Sequence, residues 1–322
     1  MEKLDLESKW HNLTLFENKR GYKALRISSN CLPDLFLACD LEGYRCLLLY
    51  LPKNESFKLN ESDKNKLVLS YLPSKSIVLI KLKDFDFIDL FNELIISIYT
   101  KIKSIPKSED ASKEFIKTFY KWSAFFENTC ISKLSEAEIQ GLFGELFILN
   151  RYLEDSNPQV INDLLSSWKG LYDTANDFEF DSKNVEVKTR NESRSFVKIS
   201  SEFQLENEYN RGLELIVVTI KLDLINGKSI YDLLLLIVAQ IRRNFGDLSI
   251  LYHAFNQKQL SIESLKEYNN HRFFVQKTEL FDATKEGFPK LCRSNINDEI
   301  FDLRYNLRIT KLAPFLIEEI KY

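Results

Sequence analysis

Alternating apolar and polar positions dominate the first eighty residues, and helical spacing takes over after them. Tyr22–Ser28, Leu35–Leu41 and Tyr44–Leu51 are β-rich runs separated by turn residues such as Glu42–Gly43. Lys66–Leu72 and Ser76–Leu82 pair around Pro73–Ser74, and the apolar residues of Phe87–Ile102 recur at helical period. This predicts an N-terminal α+β module over residues 1–105. Its aromatic and basic residues (Trp10, Arg20, Tyr22, Lys23, Arg26) suit ordinary packing or contact with a partner or nucleic acid. Ile105–Ser112 is polar, contains Pro106, and is expected to be a linker. A helix is expected over Lys113–Asn128, with Trp122, Phe125 and Phe126 in the core.

Residues 106–245 form the predicted central domain. Ser135-Glu-Ala-Glu138 matches a capping box and starts a helix to about Leu153. On a helical wheel Ile139, Leu142, Leu146, Leu149 and Leu153 share a stripe, and Glu145 lies about 60° from its centre. There it is either a solvated boundary residue or a desolvated carboxylate that needs a partner. Gly141 and Gly144 cost helix propensity, which close approach to a sheet would explain. Asp155–Pro158 breaks the chain, and a short helix is expected over Asn162–Trp168. A strand hairpin follows, then a third strand over Ser195–Ser200. A short helix capped by Ser200 or Ser201 carries Gln204. Leu213–Leu222 reads as a strand covered on both faces, and Ser229–Asp232 as a second capping box for a helix to about Arg243. The order predicts α/β (α+β) layering with a mixed sheet flanked by helices. Residues 246–322 form a C-terminal α/β extension, with helices around Asp247–Phe255 and Ser261–Tyr268 and strands near Arg272–Leu280 and Glu299–Ile309.

The candidate chemistry lies in the hairpin Asn176–Lys188, NDFEFDSKNVEVK. Residues two apart on a strand share a face, so Glu186 and Lys188 point one way and Val185 and Val187 the other. Asp177 heads the first strand. Hard cations such as Mg²⁺ take oxygen ligands and often only one or two protein carboxylates. Asp177 and Glu186 can supply these, with the Val187 carbonyl as a third ligand and Glu145 holding a second metal or its water. Such a cation activates water and neutralises charge in phosphodiester hydrolysis, and Lys188 is placed to orient the water or stabilise that charge. The bare order D-x(n)-E-x-K also arises on any amphipathic strand. Arg190, Arg194 and Lys198, next to Lys188, suit contact with backbone phosphates or a solvated hairpin edge.

Composition narrows the classes. The 322 residues are 44% hydrophobic and 28% charged, which excludes a disordered or fibrous chain. A formal net charge of −3 excludes a small basic DNA-binding module but leaves room for a local basic groove. The five scattered cysteines include no C-x-x-C and fit a reducing cytoplasm. The opening MEKLDLESKW lacks a signal-peptide pattern, and the longest apolar run, Leu233–Ala239, is too short to span a bilayer. A cytoplasmic protein is expected. His11, His253 and His271 are isolated, and no phosphate-binding glycine motif occurs.

The segments GLFGELFIL, W-x-G, DFEF, VEVKTR and VKISSEFQL, followed by GFPKL and DEIFDLRYNLRI, resemble in that order the PD-(D/E)XK nuclease superfamily. The likeness is to a bacterial, restriction-associated group within it. The resemblance implies a restriction-endonuclease-like core and Mg²⁺-dependent cleavage of DNA, with Mn²⁺ as a substitute. It implies Asp177 as the motif aspartate, Glu186 as the second acid, Lys188 as the lysine, Glu145 as the acid of the first core helix, and Gln204 as a polar residue near the metal. Asn176 stands where proline would precede the aspartate. The implied function is a DNA endonuclease of a restriction or phage-defence system, with helicase, ATPase or methyltransferase partners and a homodimer to cut both strands. A non-cleaving recognition or scaffold subunit is the alternative, and RNA the alternative substrate.

Overall fold

The computed structural model describes residues 3–14, 21–52, 58–64, 66–127, 133–154, 156–172, 174–262 and 264–322. They group into two compact units, residues 1–128 and 129–322.

The first unit opens with helix α1 (Lys3–Thr14). Strands β1 (Lys23–Arg26), β2 (Asp34–Cys39), β3 (Arg45–Tyr50), β4 (Ser62–Asp63), β5 (Leu67–Leu72) and β6 (Ile77–Leu82) follow, then α2 (Ile88–Ile102) and α3 (Ser108–Ser123). The sheet is antiparallel in the order β1-β2-β3-β6-β5-β4. Its register aligns Leu37, Leu47, Ile80 and Leu69 across four strands, all completely buried. The opposite face holds Ala38, Cys46, Leu48, Ile77 and Leu79 under Tyr22, Phe36 and Leu72.

One expectation changes here. Most of the polar stretch read as a linker is the first turn of α3, where Glu109 and Asp110 sit favourably at the positive end of the helix dipole. Among the aromatic and basic residues that suit packing or partner contact, three have partners within this unit. Trp10 is buried and donates its indole N–H to Asn92, 2.9 Å away. Lys23 bonds the carbonyls of Asn12 and Leu13, and Arg26 pairs with Asp34. Arg20 lies outside the described residues.

The second unit contains α4 (Glu136–Glu154), α5 (Ile161–Ser167), β7 (Phe178–Glu179), β8 (Lys183–Asn191), β9 (Phe196–Ile199) and β10 (Gly212–Leu222). It continues with α6 (Ile230–Arg243), α7 (Leu248–Gln257), β11 (Phe273–Asp282), β12 (Tyr305–Arg308) and β13 (Leu316–Lys321). Both predicted capping boxes form: Ser135 and Glu138 bond reciprocally ahead of α4, and Ser229 and Asp232 ahead of α6. The sheet runs β13-β11-β10-β8-β7, with β8 and β10 parallel and the other pairs antiparallel, the mixed sheet the pattern predicted. The architecture is that of a restriction-endonuclease-like α+β fold. Helix α4 packs on β8 and beside α6. The opposite face, with Leu213, Leu215, Val217 and Phe281, is sealed by Val197, Ile199, Leu205, Phe288, Leu307, Ile309 and Leu312.

That sealing layer departs from expectation. Strand β9 does not extend the hairpin, because β8 is already flanked by β10 on one side and by β7 and Asp177 on the other. It pairs antiparallel with β12 in a two-stranded ribbon, opposite 106 residues later in the chain at Tyr305↔Ile199. The segment carrying Gln204 is a turn, not a helix. Ser264–Tyr268 is a 3-10 turn, and only Tyr305–Arg308 of the Glu299–Ile309 stretch is a strand. The edge strand β13 and helix α1 were not anticipated.

Candidate active site

The site begins with the short length of β7. It pairs with β8 only at Phe178↔Val185 and Glu179↔Asn184, so beyond Val185 the edge of β8 lacks a strand partner. The Asp177 carboxylate fills the gap and accepts the Val187 N–H at 2.7 Å. A strand residue turns its N–H and C=O to the same side, so the Val187 carbonyl faces that edge too. Asp177 is fixed in turn by its own carbonyl, which accepts the Lys169 N–H at 2.7 Å. Phe178 and Phe180 stack on each other and meet Tyr152 of α4 edge-on, which is why aromatic residues alternate with acids in this stretch.

Glu186 and Lys188 lie two residues apart on β8, opposite Leu215 and Val217 of β10. The Lys188 ammonium sits 2.6 Å from Glu186 Oε1, with the lysine side chain 15% exposed and the glutamate 1%. Despite that ion pair, both Glu186 oxygens are buried and neither forms a well-directed hydrogen bond. A buried carboxylate in this condition normally neutralises itself. Burial, and then the charge of Asp177, push the Glu186 carboxyl up to about 8, although Lys188 and Asn176 oppose the shift. Burial likewise raises Asp177, against the pull of Lys188 and of the Val187 N–H. Burial lowers Lys188, but Glu186 and Asp177 outweigh it and hold the amine firmly protonated.

Glu145 joins from α4. Its Oε2 accepts the Trp168 indole N–H at 3.0 Å, and burial together with the Asp177 charge holds its carboxyl well above the ordinary range. The space it occupies depends on Gly170, where a Cβ would run into the Glu145 carboxylate. One helical step earlier, a Cβ on Gly144 would strike the Thr189 hydroxyl of β8, so close helix–sheet approach explains that glycine. It does not explain Gly141, whose Cβ position is open.

The structure therefore brings Glu145, Asp177, Glu186 and Lys188 within one another's fields. Gln204 contributes indirectly. Its side-chain oxygen accepts the Ser200 N–H, and its backbone carbonyl accepts the Asn176 amide at 2.8 Å. Arg190 is engaged, paired with Glu279 at 3.3 Å and bonded to the Arg194 carbonyl, whereas Arg194 and Lys198 are exposed. Sequence reasoning did not assign roles to Trp168, Gly170 or Asn176. The W-x-G spacing was visible, but its contact with an acid 23 positions earlier was not.

The donor set suits a hard divalent cation: two carboxylates at one strand edge, one of them without a well-directed hydrogen bond, beside a backbone carbonyl. Among the described residues, no three acidic, histidine or cysteine side chains converge as a ready-made metal cage. Glu145, held by Trp168, lies within the fields of Asp177 and Glu186.

Over residues 6–310 the chain matches the DUF4420 family, described as a putative PD-(D/E)XK family member. The chain belongs to this family. Membership makes a nuclease-like activity and a divalent metal the coarse expectation for this fold. No curated protein and no solved structure matches the chain. Among the described residues no helix is long and apolar enough to cross a membrane.

Proposed function

We propose that the protein is a Mg²⁺-dependent DNA endonuclease, with Mn²⁺ able to substitute. The observation that carries this reading is the state of Glu186: a buried carboxylate, paired with Lys188 at one oxygen but without a well-directed hydrogen bond at either, beside a second acid in a PD-(D/E)XK family member. Asp177 and Glu186, with the Val187 carbonyl, would hold the cation. Once bound, it would supply positive charge against the scissile phosphate and acidify a water. Asp177, anchored at Val187 N and through its own carbonyl to Lys169, keeps its oxygens in register with Glu186. Lys188 remains an ammonium, so it acts as a hydrogen-bond donor and counter-charge to the developing phosphorane and not as a proton acceptor. Glu145, held by the Trp168 indole, shapes the acid side of the pocket. The resemblance of the motif series to restriction-associated proteins favours a role in restriction or phage defence.

The test is cleavage of supercoiled plasmid in Mg²⁺ or Mn²⁺. Wild type nicks or linearises the plasmid, and Asp177→Ala and Lys188→Ala do not. Equal cutting by all three would remove this site from consideration. Duplex binding without cleavage in either metal would favour a recognition subunit.

A further inference from the structure

Strands β9 and β12 meet in a two-stranded ribbon whose two faces differ completely. The inward residues Val197, Ile199 and Leu307 are buried, with Tyr305 packed against them. Phe196, Lys198, Asn306 and Arg308 project outward and are exposed. No carboxylate occurs in either strand, and among the described residues neither Lys198 nor Arg308 forms an ion pair. Arg194, in the turn that enters the ribbon, adds a third exposed cation. The neighbouring acids are occupied: Glu192 by Gln276, Asp302 by Arg304, and Glu202 by the Leu303 N–H. In a chain of net charge −3 this concentration of unpaired cations is local.

We propose that the outward face of the β9–β12 ribbon, with Lys198 and Arg308 at its centre, is a docking surface for the phosphate backbone of duplex DNA. This deepens the nuclease reading and rests on it for the nature of the substrate. Lys198 opposes Asn306 and Phe196 opposes Arg308, so Lys198 and Arg308 are diagonal neighbours. Such pairs lie about 7–8 Å apart, and a two-stranded ribbon also fits the major groove. The ribbon's buried side packs on Leu215 and Val217, the β10 residues in register with Glu186 and Lys188. It thus covers the same sheet face as the candidate site. The Tyr305 hydroxyl accepts the Leu291 N–H at 3.2 Å.

Anisotropy of a short labelled duplex in EDTA, titrated across salt concentrations, tests the ribbon without requiring catalysis. Replacing Lys198 and Arg308 together with alanine should weaken binding at least about tenfold at moderate salt. It should also make the log–log salt slope shallower by about 2, close to 0.9 per lost phosphate contact. The charge-keeping exchange Lys198→Arg with Arg308→Lys should retain the wild-type slope. Unchanged affinity and slope in the alanine variant would overturn the proposal, as would tighter binding of a matched RNA duplex or no duplex binding by wild type. The two readings fail separately. If Asp177→Ala abolishes cutting while the ribbon variant binds normally, only the ribbon falls. If the ribbon governs binding but wild type never cuts, only the nuclease reading falls.

Discussion

Two buried polar groups, one in each unit, are satisfied to very different degrees. Asn92 of α2 is fully buried and fully used: its oxygen accepts from Trp10 at 2.9 Å and from Arg45 at 3.3 Å, and its amide donates to Glu7. Arg45 stacks over the Trp10 ring, 4.8 Å from its centroid, and completes a closed set. Glu186 of β8 is equally buried, yet its oxygens lack well-formed hydrogen bonds and its carboxyl is driven up to about 8. A closed set rigidifies the unit that holds it. An open set stores unfavourable charge that a bound cation can relieve.

The largest effect that would sharpen this contrast lies in the open set. Lys188→Ala should lower plasmid cleavage at least about 10³-fold, the scale for removing a preorganised charge at a transition state. It should leave the secondary structure seen by circular dichroism unchanged.

Breaking the closed set should instead cost stability. Asn92→Ala strands the Trp10 indole N–H and removes an acceptor from Arg45, for a loss of about 2–3 kcal/mol in chemical denaturation. Cleavage per folded molecule should hold.

The pH dependence of the metal-free protein separates the two sets further. A carboxyl whose folded pKa is raised favours the fold while protonated in both states. That advantage is progressively lost as pH climbs from the unfolded value of 4.5 through about 8. The Tm of metal-free wild type should therefore fall by several degrees between pH 5 and pH 8.5. Glu186→Gln should flatten that fall, and Mg²⁺ should reverse it in wild type but not in the variant. A wild-type Tm independent of pH over this window would contradict the open-set description.

The smallest effect separates two glycines on α4. Gly141→Ala meets no neighbour and should stabilise by about 0.5–1 kcal/mol through helix propensity alone. Gly144→Ala drives a methyl into Thr189 and should destabilise by about 1–3 kcal/mol. Thermal denaturation reads both.

The features legible in the sequence were those written locally. Two capping boxes, the helical stripe of α4 and the alternation of β7–β8 all place their partners within a few residues. Glu145 on the stripe's edge was readable as an acid in want of a partner. That partner was not readable, because Trp168 and Gly170 reach it only through tertiary packing. The β9–β12 ribbon was missed for the same reason: a strand records its own period but not which strand it will join. Strand β13, LIEEIK, is mostly exposed and mixes charged with apolar positions, so pairing with β11 defines it more than pattern does. Gln204 was placed on a helix, while the fold uses its side chain to close a turn and its carbonyl to hold Asn176.

We propose that Asp177 and Glu186 together receive a divalent cation. Calorimetric titration of the metal-free protein with Mn²⁺ tests it most directly. The account predicts a saturable site in wild type that is lost in both Asp177→Asn and Glu186→Gln and retained in Asn92→Ala. Unaltered Mn²⁺ binding in the Glu186→Gln variant would contradict it.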